Sequence, residues 1–475
     1  MKKEYNYAKL FLILSLFFGT LLVILVPSFN SPDEETHFMY AYEISNGKIQ
    51  ATNKGKVSGH YIPNSIFQRV SKRHELIADF EKKYSYSEMY YDNLYPSVYD
   101  EKTFAILSTQ TQPVIAYIAP VIGIKIASKM ESFMGGKEIG VDVLVQFARF
   151  FSLFAYSIIC YFAIKITPKF KRAFFAILLL PMSLFLRSMV TYDGFILAIV
   201  ALVLANILNL IENDNCLFSK KYIILFIITG FVLFNVKMVY SIVFLGVFAI
   251  SSKKFGDKKT KWKKIALIII AVLGLTILRK LFYLKINANI NALSSKQLDF
   301  VLHHPIEYLK ILFYNIKGKA KLHSWWMLGT YGYLDTYVPV LFQFLLKIYL
   351  IVIILIDIFN EKLKISFKYK IGYLLLMIFG IIGIFTIMYI SWTPVVLNKI
   401  GGSIIEGVQG RYYLPFLFLL PIIFNNNLID KICEKNKTIK YLNDKLYYII
   451  SNNFQYFTIF SLVFMVIIIV LRYYV

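Results

Sequence analysis

Residues 10–26 read LFLILSLFFGTLLVILV, and residues 31–37 read SPDEETH. The first stretch is long and apolar enough to cross a bilayer as a helix. The second stretch presents three acids and a histidine directly after that crossing. A membrane enzyme needs its catalytic carboxylate just outside the lipid, so these two stretches predict both the fold and a candidate site.

The composition indicates a multi-pass helical membrane protein. Hydrophobic residues make up 58% of the 475 residues and the mean hydropathy is +0.60, with apolar runs recurring along the whole chain. The net charge of +24 would suggest nucleic acid in a soluble protein, but here the lysines cluster in short loops. The positive-inside rule explains that pattern, so we expect no nucleic-acid partner. Three widely spaced cysteines predict no disulfide framework.

The apolar runs predict an all-α polytopic bundle of about 11–13 transmembrane helices, forming one domain over residues 1–475. If the lysine loops are cytoplasmic, the runs from residue 143 onward alternate correctly and the N-terminus is cytoplasmic. Residues 28–108 and 283–337 then form two large extracytoplasmic loops, the first with juxtamembrane helices. The runs are 10–26, 143–166, 173–190, 194–211, 222–234, 238–250, 265–282, 338–358, 371–390, 412–424 and 457–471, and the lysine loops are 169–172, 220–221, 253–264, 362–370 and 431–440.

The apolar run at 112–126 disturbs this alternation. If it crossed the membrane fully, every later lysine loop would face outward. We therefore expect a juxtamembrane or re-entrant helix buried in protein. An undetected crossing elsewhere in the chain is the alternative.

The acidic stretch has a structural interpretation as well as a functional one. Ser31 could be an N-cap with Glu34 at the N3 position of a capping box, which would make the acids only a well-built helix start. His37 lies four residues after Asp33, which places a carboxylate and an imidazole on one helix face. A metal at this spacing is not fixed, because two or three ligands do not define a site.

Other candidate residues lie at the ends of later apolar runs. Asp193 begins one run and could pair with Arg187, and Arg149 could meet a lipid phosphate. Gln409, Arg411 and Tyr412 begin another run, where an arginine could bind phosphate in a bidentate manner.

Several motifs, in order, resemble a bacterial multi-pass family known as domain of unknown function 2142. One of them lacks its second proline, which is Val114 here, another has Thr191 in place of serine, and a third lacks its tryptophan. The motifs are PDEETHF at 32–38, QPVIAY at 112–117, LPM at 180–182 with YDG at 192–194, LG at 328–329 with YLD at 333–335, and GVQGRY at 407–412.

That family resembles the C-type (GT-C) glycosyltransferase superfamily, which includes protein mannosyltransferases and the lipid A aminoarabinose transferase. The resemblance implies a GT-C-like fold, a polyprenyl-phosphate sugar donor and chemistry at the outer face of the membrane. It implies that Asp33 is the catalytic base, Glu34 its partner and Asp193 a second catalytic acid.

The sequence thus predicts an inverting glycosyltransferase of the bacterial cell membrane. An undecaprenyl-phosphate-linked sugar would be transferred to a cell-surface or lipid-linked glycan. His37, Arg149, Gln409, Arg411 and Tyr412 would contact substrate. No cofactor is required, although a divalent metal is compatible with the acids. The alternatives are a glycolipid transporter or flippase and a polysaccharide polymerase.

Overall fold

The apolar runs form helices in the computed structural model, which describes residues 6–55, 57–87, 94–96, 100–133, 139–283, 292–426 and 435–475. The chain is an all-α polytopic membrane protein with two very small sheets. Cys433 and part of the lysine loop 431–440 lie outside the described residues. Cys160 and Cys216 are free thiols.

Seven described helices have the length and apolar composition to cross a membrane: α1, α5, α8, α10, α13, α14 with the short α15, and α17. The helices are α1 Tyr7–Leu25, α2 Glu34–Ser45, α3 Asn64–His74, α4 Ile118–Phe133, α5 Val141–Ile166, α6 Lys171–Leu178, α7 Pro181–Ser188, α8 Tyr192–Glu212, α9 Lys220–Val236, α10 Lys258–Phe282, α11 Ala292–His303, α12 Pro305–Gly329, α13 Val340–Asn360, α14 Phe367–Ser391, α15 Thr393–Leu397, α16 Leu420–Phe424 and α17 Lys437–Tyr473. Four segments are 3₁₀ helices: Val114–Tyr117, Met238–Ala249, Ser252–Phe255 and Gly410–Leu419.

The remaining predicted crossings are short or broken. The run 173–190 is divided between α6 and α7, with Pro181 at the first position of α7. The run 412–424 is divided between a 3₁₀ segment that contains Pro415 and the short helix α16. Proline lacks the N–H that a continuous helix needs. Such breaks are tolerated because nearly every residue of these segments is buried in protein, where neighbouring groups can satisfy the backbone.

Helix α4 is too short to count among the seven spans. It runs antiparallel to α5: the Tyr156 hydroxyl reaches the carbonyl of Ala116, while Gly123 lies against the backbone of Phe147. Tyr156 is deeper in α5 than Phe147, so the chain enters the bundle before α4 and returns along it. That the run 112–126 does not cross the membrane fully stays a prediction.

The first large loop contains a small sheet that hydrophobic periodicity did not reveal. Strands β1 (Thr52–Lys54), β2 (Val57–Pro63) and β3 (Lys102–Ala105) pair antiparallel in the order β1-β2-β3. His60 of β2 lies opposite Ala105 of β3. A two-stranded hairpin, β4 (Thr330–Tyr331) with β5 (Thr336–Tyr337), follows α12. Both sheets are short and lie within loops, so they form no separate layer of the fold.

The described lysine loops meet at one end of the bundle. Lys364 contacts Asp214 at 2.9 Å, and Lys254 approaches the same carboxylate at 4.0 Å. At that end Arg172 pairs with Glu361 at 2.8 Å. The first turns of α2 and α8 lie at the opposite end, which we call the site end.

Candidate functional site

Asp33 is held at the start of α2 in an unusual conformation. The backbone N–H of Glu34 donates to the carbonyl of Ser31 at 3.1 Å and closes a four-residue turn. Asp33 is the third residue of this turn and has φ 65° and ψ 2°. The predicted capping box is therefore wrong: Asp33, not Ser31, precedes the helix, and its side chain does not cap it. Aspartate tolerates this left-handed region better than most residues. The carboxylate is consequently free to interact with another part of the bundle.

A chain of alternating charges crosses the site end. Arg411 Nη2 lies 2.7 Å from Asp33 Oδ2, and Arg411 Nε lies 3.0 Å from Asp193 Oδ2. Lys237 Nζ contacts the other oxygen of Asp193 at 2.5 Å. The Asp33 side chain is 50% exposed, whereas those of Arg411 and Asp193 are 4% and 11% exposed. Asp33 is therefore the member of this chain that a substrate can reach.

Close backbone packing sets the position of Arg411. Gly410 approaches α12 so tightly that a Cβ there would lie 2.3 Å from the backbone nitrogen of Met327. The glycine is therefore needed for contact within the bundle. The Tyr412 carbonyl accepts a hydrogen bond from Tyr240, and the Tyr412 ring lies 4.0 Å from Lys237 Nζ. Gln409, which precedes them, lines a small cavity shared with Arg411.

Glu34 and Arg149 form a fully buried ion pair below Asp33. Arg149 donates to both carboxylate oxygens, at 2.7 and 2.5 Å, and both side chains are 0% exposed. Arg149 also donates to the carbonyls of Val26 and Pro27 at the end of α1. The predicted contact of Arg149 with a lipid phosphate is not supported, because its donors are engaged inside the protein. The structure gives Glu34 the role of fixing the turn that presents Asp33.

His37 lies on the same helix but is directed into aromatic packing. Its Nδ1 is 2.8 Å from the Tyr117 hydroxyl, and its ring meets Tyr192 edge to face. Burial lowers the pKa of His37 to about 4, so the imidazole is neutral near pH 7. His37 thus joins α2 to the 3₁₀ segment before α4 and to the start of α8.

Glu35 is a second notable acid of the stretch. The Tyr333 hydroxyl, in the β4–β5 hairpin, donates to its Oε1 at 3.2 Å. Burial raises the pKa of Glu35 to about 7, so a proton can be bound or released there near neutral pH. A carboxyl with this pKa lies two residues from Asp33.

The suggested pair between Arg187 and Asp193 is wrong. Arg187 is fully buried and donates to the Ser183 carbonyl at 3.1 Å and to Ser15 at 3.2 Å. It is directed toward α1, whereas Asp193 is directed toward Arg411 and Lys237. The two residues are close in sequence, but the chain breaks between α7 and α8, so their side chains point to different parts of the bundle.

The described residues contain no group of three or more histidine, cysteine or acidic side chains that could hold a metal ion. Both fixed carboxylates of the site, Asp33 and Asp193, are already paired with cations. The arrangement offers an accessible carboxylate whose orientation is set by a buried guanidinium, with a second cation one contact away. Such a group can accept a proton or hold a hydroxyl, and the cations can stabilise negative charge.

The family model for predicted membrane proteins named DUF2142 matches residues 16–420. The chain belongs to the DUF2142 family. The match covers the acidic stretch, Asp193 and Arg411. No curated protein and no solved structure matches the chain.

The structure of this DUF2142 protein adds residues that the sequence did not single out. Lys237 contacts Asp193, and Tyr333 contacts Glu35 across almost three hundred residues. A signal for Lys237 was present: it is a lone lysine between two apolar runs, at the end opposite the lysine loops. No local pattern pointed to Tyr333, because its importance depends on how the hairpin packs against α2.

Proposed function

We propose that this DUF2142 protein is a polyprenyl-phosphate-sugar-dependent glycosyltransferase of the GT-C type. The observation that supports the proposal best is the half-exposed carboxylate of Asp33, which lies where the chain leaves its first membrane helix and is held by Arg411, itself paired with Asp193. A hydroxyl acceptor requires such a carboxylate to take its proton.

The distribution of lysines supports an outward-facing site. Lysine-rich loops gather at the end opposite Asp33, and cytoplasmic loops are enriched in lysine. The start of α1 lies near Phe175 of α6, on that lysine side, which supports the proposed cytoplasmic N-terminus. The site would then face the compartment in which lipid-linked sugars meet surface glycans.

The proposed reaction is a single displacement at the anomeric carbon. The acceptor hydroxyl attacks this carbon, Asp33 takes the hydroxyl proton, and the bond from carbon to the phosphate oxygen breaks. The lipid phosphate leaves with the electron pair, and the anomeric configuration inverts. Arg411 orients Asp33, and a cationic side chain beside the lipid phosphate would stabilise the negative charge that develops on it.

Asp193 has a supporting role in this proposal. It contacts both Arg411 and Lys237, so it fixes two cations at one place. The resemblance to GT-C enzymes gave it a catalytic role, and the contacts favour that of a positioning residue. Gln409 and Tyr412 flank Arg411 and would line the path of the substrate. The proposed chemistry requires no cofactor, because cationic side chains of the protein can supply positive charge.

A flippase is less well supported than an enzyme. A transport pathway needs polar groups accessible along the helices. The charged pair deepest in this part of the bundle, Glu34 with Arg149, is sealed from solvent. A polysaccharide polymerase would share the architecture and differ in its donor, so a donor assay separates it from the proposed transferase.

The deciding experiment is an Asp33→Asn substitution. We expect normal expression and folding, with sugar transfer from the lipid-linked donor reduced by about two to four orders of magnitude. Surface glycan of the producing cells and transfer by the purified protein would both be measured. Asp299→Asn, at an exposed acid of α11, is the matched control. Full transfer by Asp33→Asn would remove Asp33 from the mechanism.

A further inference from the structure

An apolar groove opens on the membrane-spanning surface and runs from beside the lysine loop 253–264 toward the site end. It lies between α9, the 3₁₀ segment Met238–Ala249 and α10, and its volume is about 260 Å³. Phe226, Gly230 and Phe234 line it from α9, and Val272 and Leu273 line it from α10. Leu273 is exposed at its edge, so a lipid chain can enter from the bilayer.

Gly230, in the middle of α9, lines the groove without a side chain. A Cβ at Gly230 would lie 3.1 Å from Cγ2 of Val272 and 3.7 Å from the Phe244 ring. A longer side chain would extend into the space between the two helices. The groove walls are hydrocarbon and aromatic, which suits an apolar chain and excludes water.

A polar cap with a cation closes the groove at its site end. One turn beyond Val272, Thr276 accepts a hydrogen bond from Asn235, and Asn235 accepts one from Arg279 at 2.9 Å. Arg279 also donates to the carbonyl of Thr111. Among the described residues no carboxylate forms an ion pair with Arg279, unlike Arg411 and Arg149.

Arg279 is also linked to the helix that carries Asp33. Its guanidinium lies 5.7 Å from the ring of Tyr283, whose hydroxyl is 3.2 Å from that of Tyr40. Tyr40 is in α2, seven residues after Asp33, which corresponds to roughly 10 Å along the helix. Arg279 is therefore connected through Tyr283 and Tyr40 to the helix that begins beside Asp33.

We propose that the groove and Arg279 together form an isoprenyl-phosphate site. The isoprenoid chain lies between α9 and α10, and the phosphate is bound by the Arg279 guanidinium. This deepens the proposed function, on which it rests for the identity of the lipid. It also assigns the phosphate to a cation that has no acidic partner, whereas the positive charges of Arg411 and Lys237 are balanced by Asp33 and Asp193.

A single-chain phosphate fits this site better than a membrane phospholipid does. One groove leads to one cation, whereas a phospholipid brings two chains. The methyl-branched isoprenoid also matches a groove lined by aromatic rings.

Photolabelling of the full-length protein tests the assignment. The probe is undecaprenyl phosphate with a benzophenone attached within the first few isoprene units after the phosphate, added to the protein in phosphatidylcholine nanodiscs. We expect cross-links to peptides of α9, Met238–Ala249 and α10, with protection by unlabelled undecaprenyl phosphate and much weaker protection by phosphatidylglycerol. Cross-links confined to other helices, or equal protection by phosphatidylglycerol, would overturn the proposal.

Two substitutions test the groove and its cap separately. Gly230→Leu should fill the groove and reduce labelling at least tenfold. Gly274→Leu, on α10 where a Cβ meets nothing within 4 Å, is the matched control and should label normally. Arg279→Gln should weaken the binding of undecaprenyl phosphate by about tenfold to a hundredfold and leave that of uncharged undecaprenol unchanged.

Labelling of Gly230→Leu at the wild-type level would contradict the tail assignment. Equal losses for the phosphate and the alcohol in Arg279→Gln would contradict the headgroup assignment. If Gly230→Leu does not fold, the map of cross-links on the wild-type protein still decides. The binding assay does not depend on sugar transfer, so the two proposals can fail separately. Normal transfer by Asp33→Asn would refute the enzyme mechanism without affecting the lipid site.

Discussion

Removing the buried carboxylate of Glu34 should destabilise the protein more than removing the exposed one of Asp33. Glu34 accepts four hydrogen bonds inside the bundle: two from Arg149, one from the N–H of Phe29 at 3.0 Å and one from the N–H of Val190 at 2.9 Å. The Glu34 carboxylate therefore connects three parts of the chain: the turn after α1, helix α5 and the link before α8.

The magnitude follows from what a substitution would leave behind. Glu34→Gln replaces one acceptor oxygen by an NH₂ group that faces two donors, and it leaves the Arg149 charge buried without a counter-ion. Breaking one partner of a buried ion pair costs about 3–5 kcal/mol. Each backbone donor left unpaired costs about 1–3 kcal/mol. These losses are large against a typical margin of about 5–15 kcal/mol.

The assay is thermal unfolding of the purified protein in detergent, together with the yield of monodisperse protein. We expect Glu34→Gln to lose most of its yield and to melt well below the wild type, and Asp33→Asn to melt near it. Exchanging both Glu34 and Arg149 for methionine should not restore stability, since the Phe29 and Val190 N–H groups stay unpaired. A Glu34→Gln protein that melts normally but transfers no sugar would refute this reasoning and return Glu34 to the chemistry.

Three further predictions concern the site and its orientation. Arg411→Lys should insert and fold but lower transfer by about tenfold to a hundredfold, because an ammonium cannot hold Asp33 with the guanidinium geometry; donor kinetics with purified protein would show this, and unchanged kinetics would contradict it. Because burial raises the pKa of Glu35 from 4.5 to about 7, the folded protein keeps a proton that the unfolded chain releases, so stability should fall as pH rises through that window. Melting temperatures across pH would check this, and Glu35→Gln should flatten the profile. Cysteines placed at Ser87 and Ser251 of intact cells should be labelled by an impermeant reagent only at Ser87, and the reverse result would invert the orientation.

Helix α4 shows how far charge patterning could reach. The lysine loops favoured a run 112–126 that does not cross fully, with an undetected crossing elsewhere as the alternative, and in the structure α4 packs antiparallel to α5. Charge distribution supports a prediction of this kind because each loop must lie on one of the two sides of the membrane. The same argument could not place the breaks between α6 and α7 or around Pro415, which depend on burial among neighbours.

The sequence by itself determined the all-α membrane class and the family, and it pointed to the stretch 31–37 as a candidate site, because hydropathy, charge and short motifs are local properties. It also singled out Asp33, Asp193 and Arg411 separately. Only the tertiary structure decided that Arg411 joins the two acids across hundreds of residues, and that Glu34 is sealed by Arg149. Adjacent acids in one helical turn face different directions, so one can meet solvent while its neighbour is buried. Which one does so depends on how α1, α5 and α8 pack around that turn.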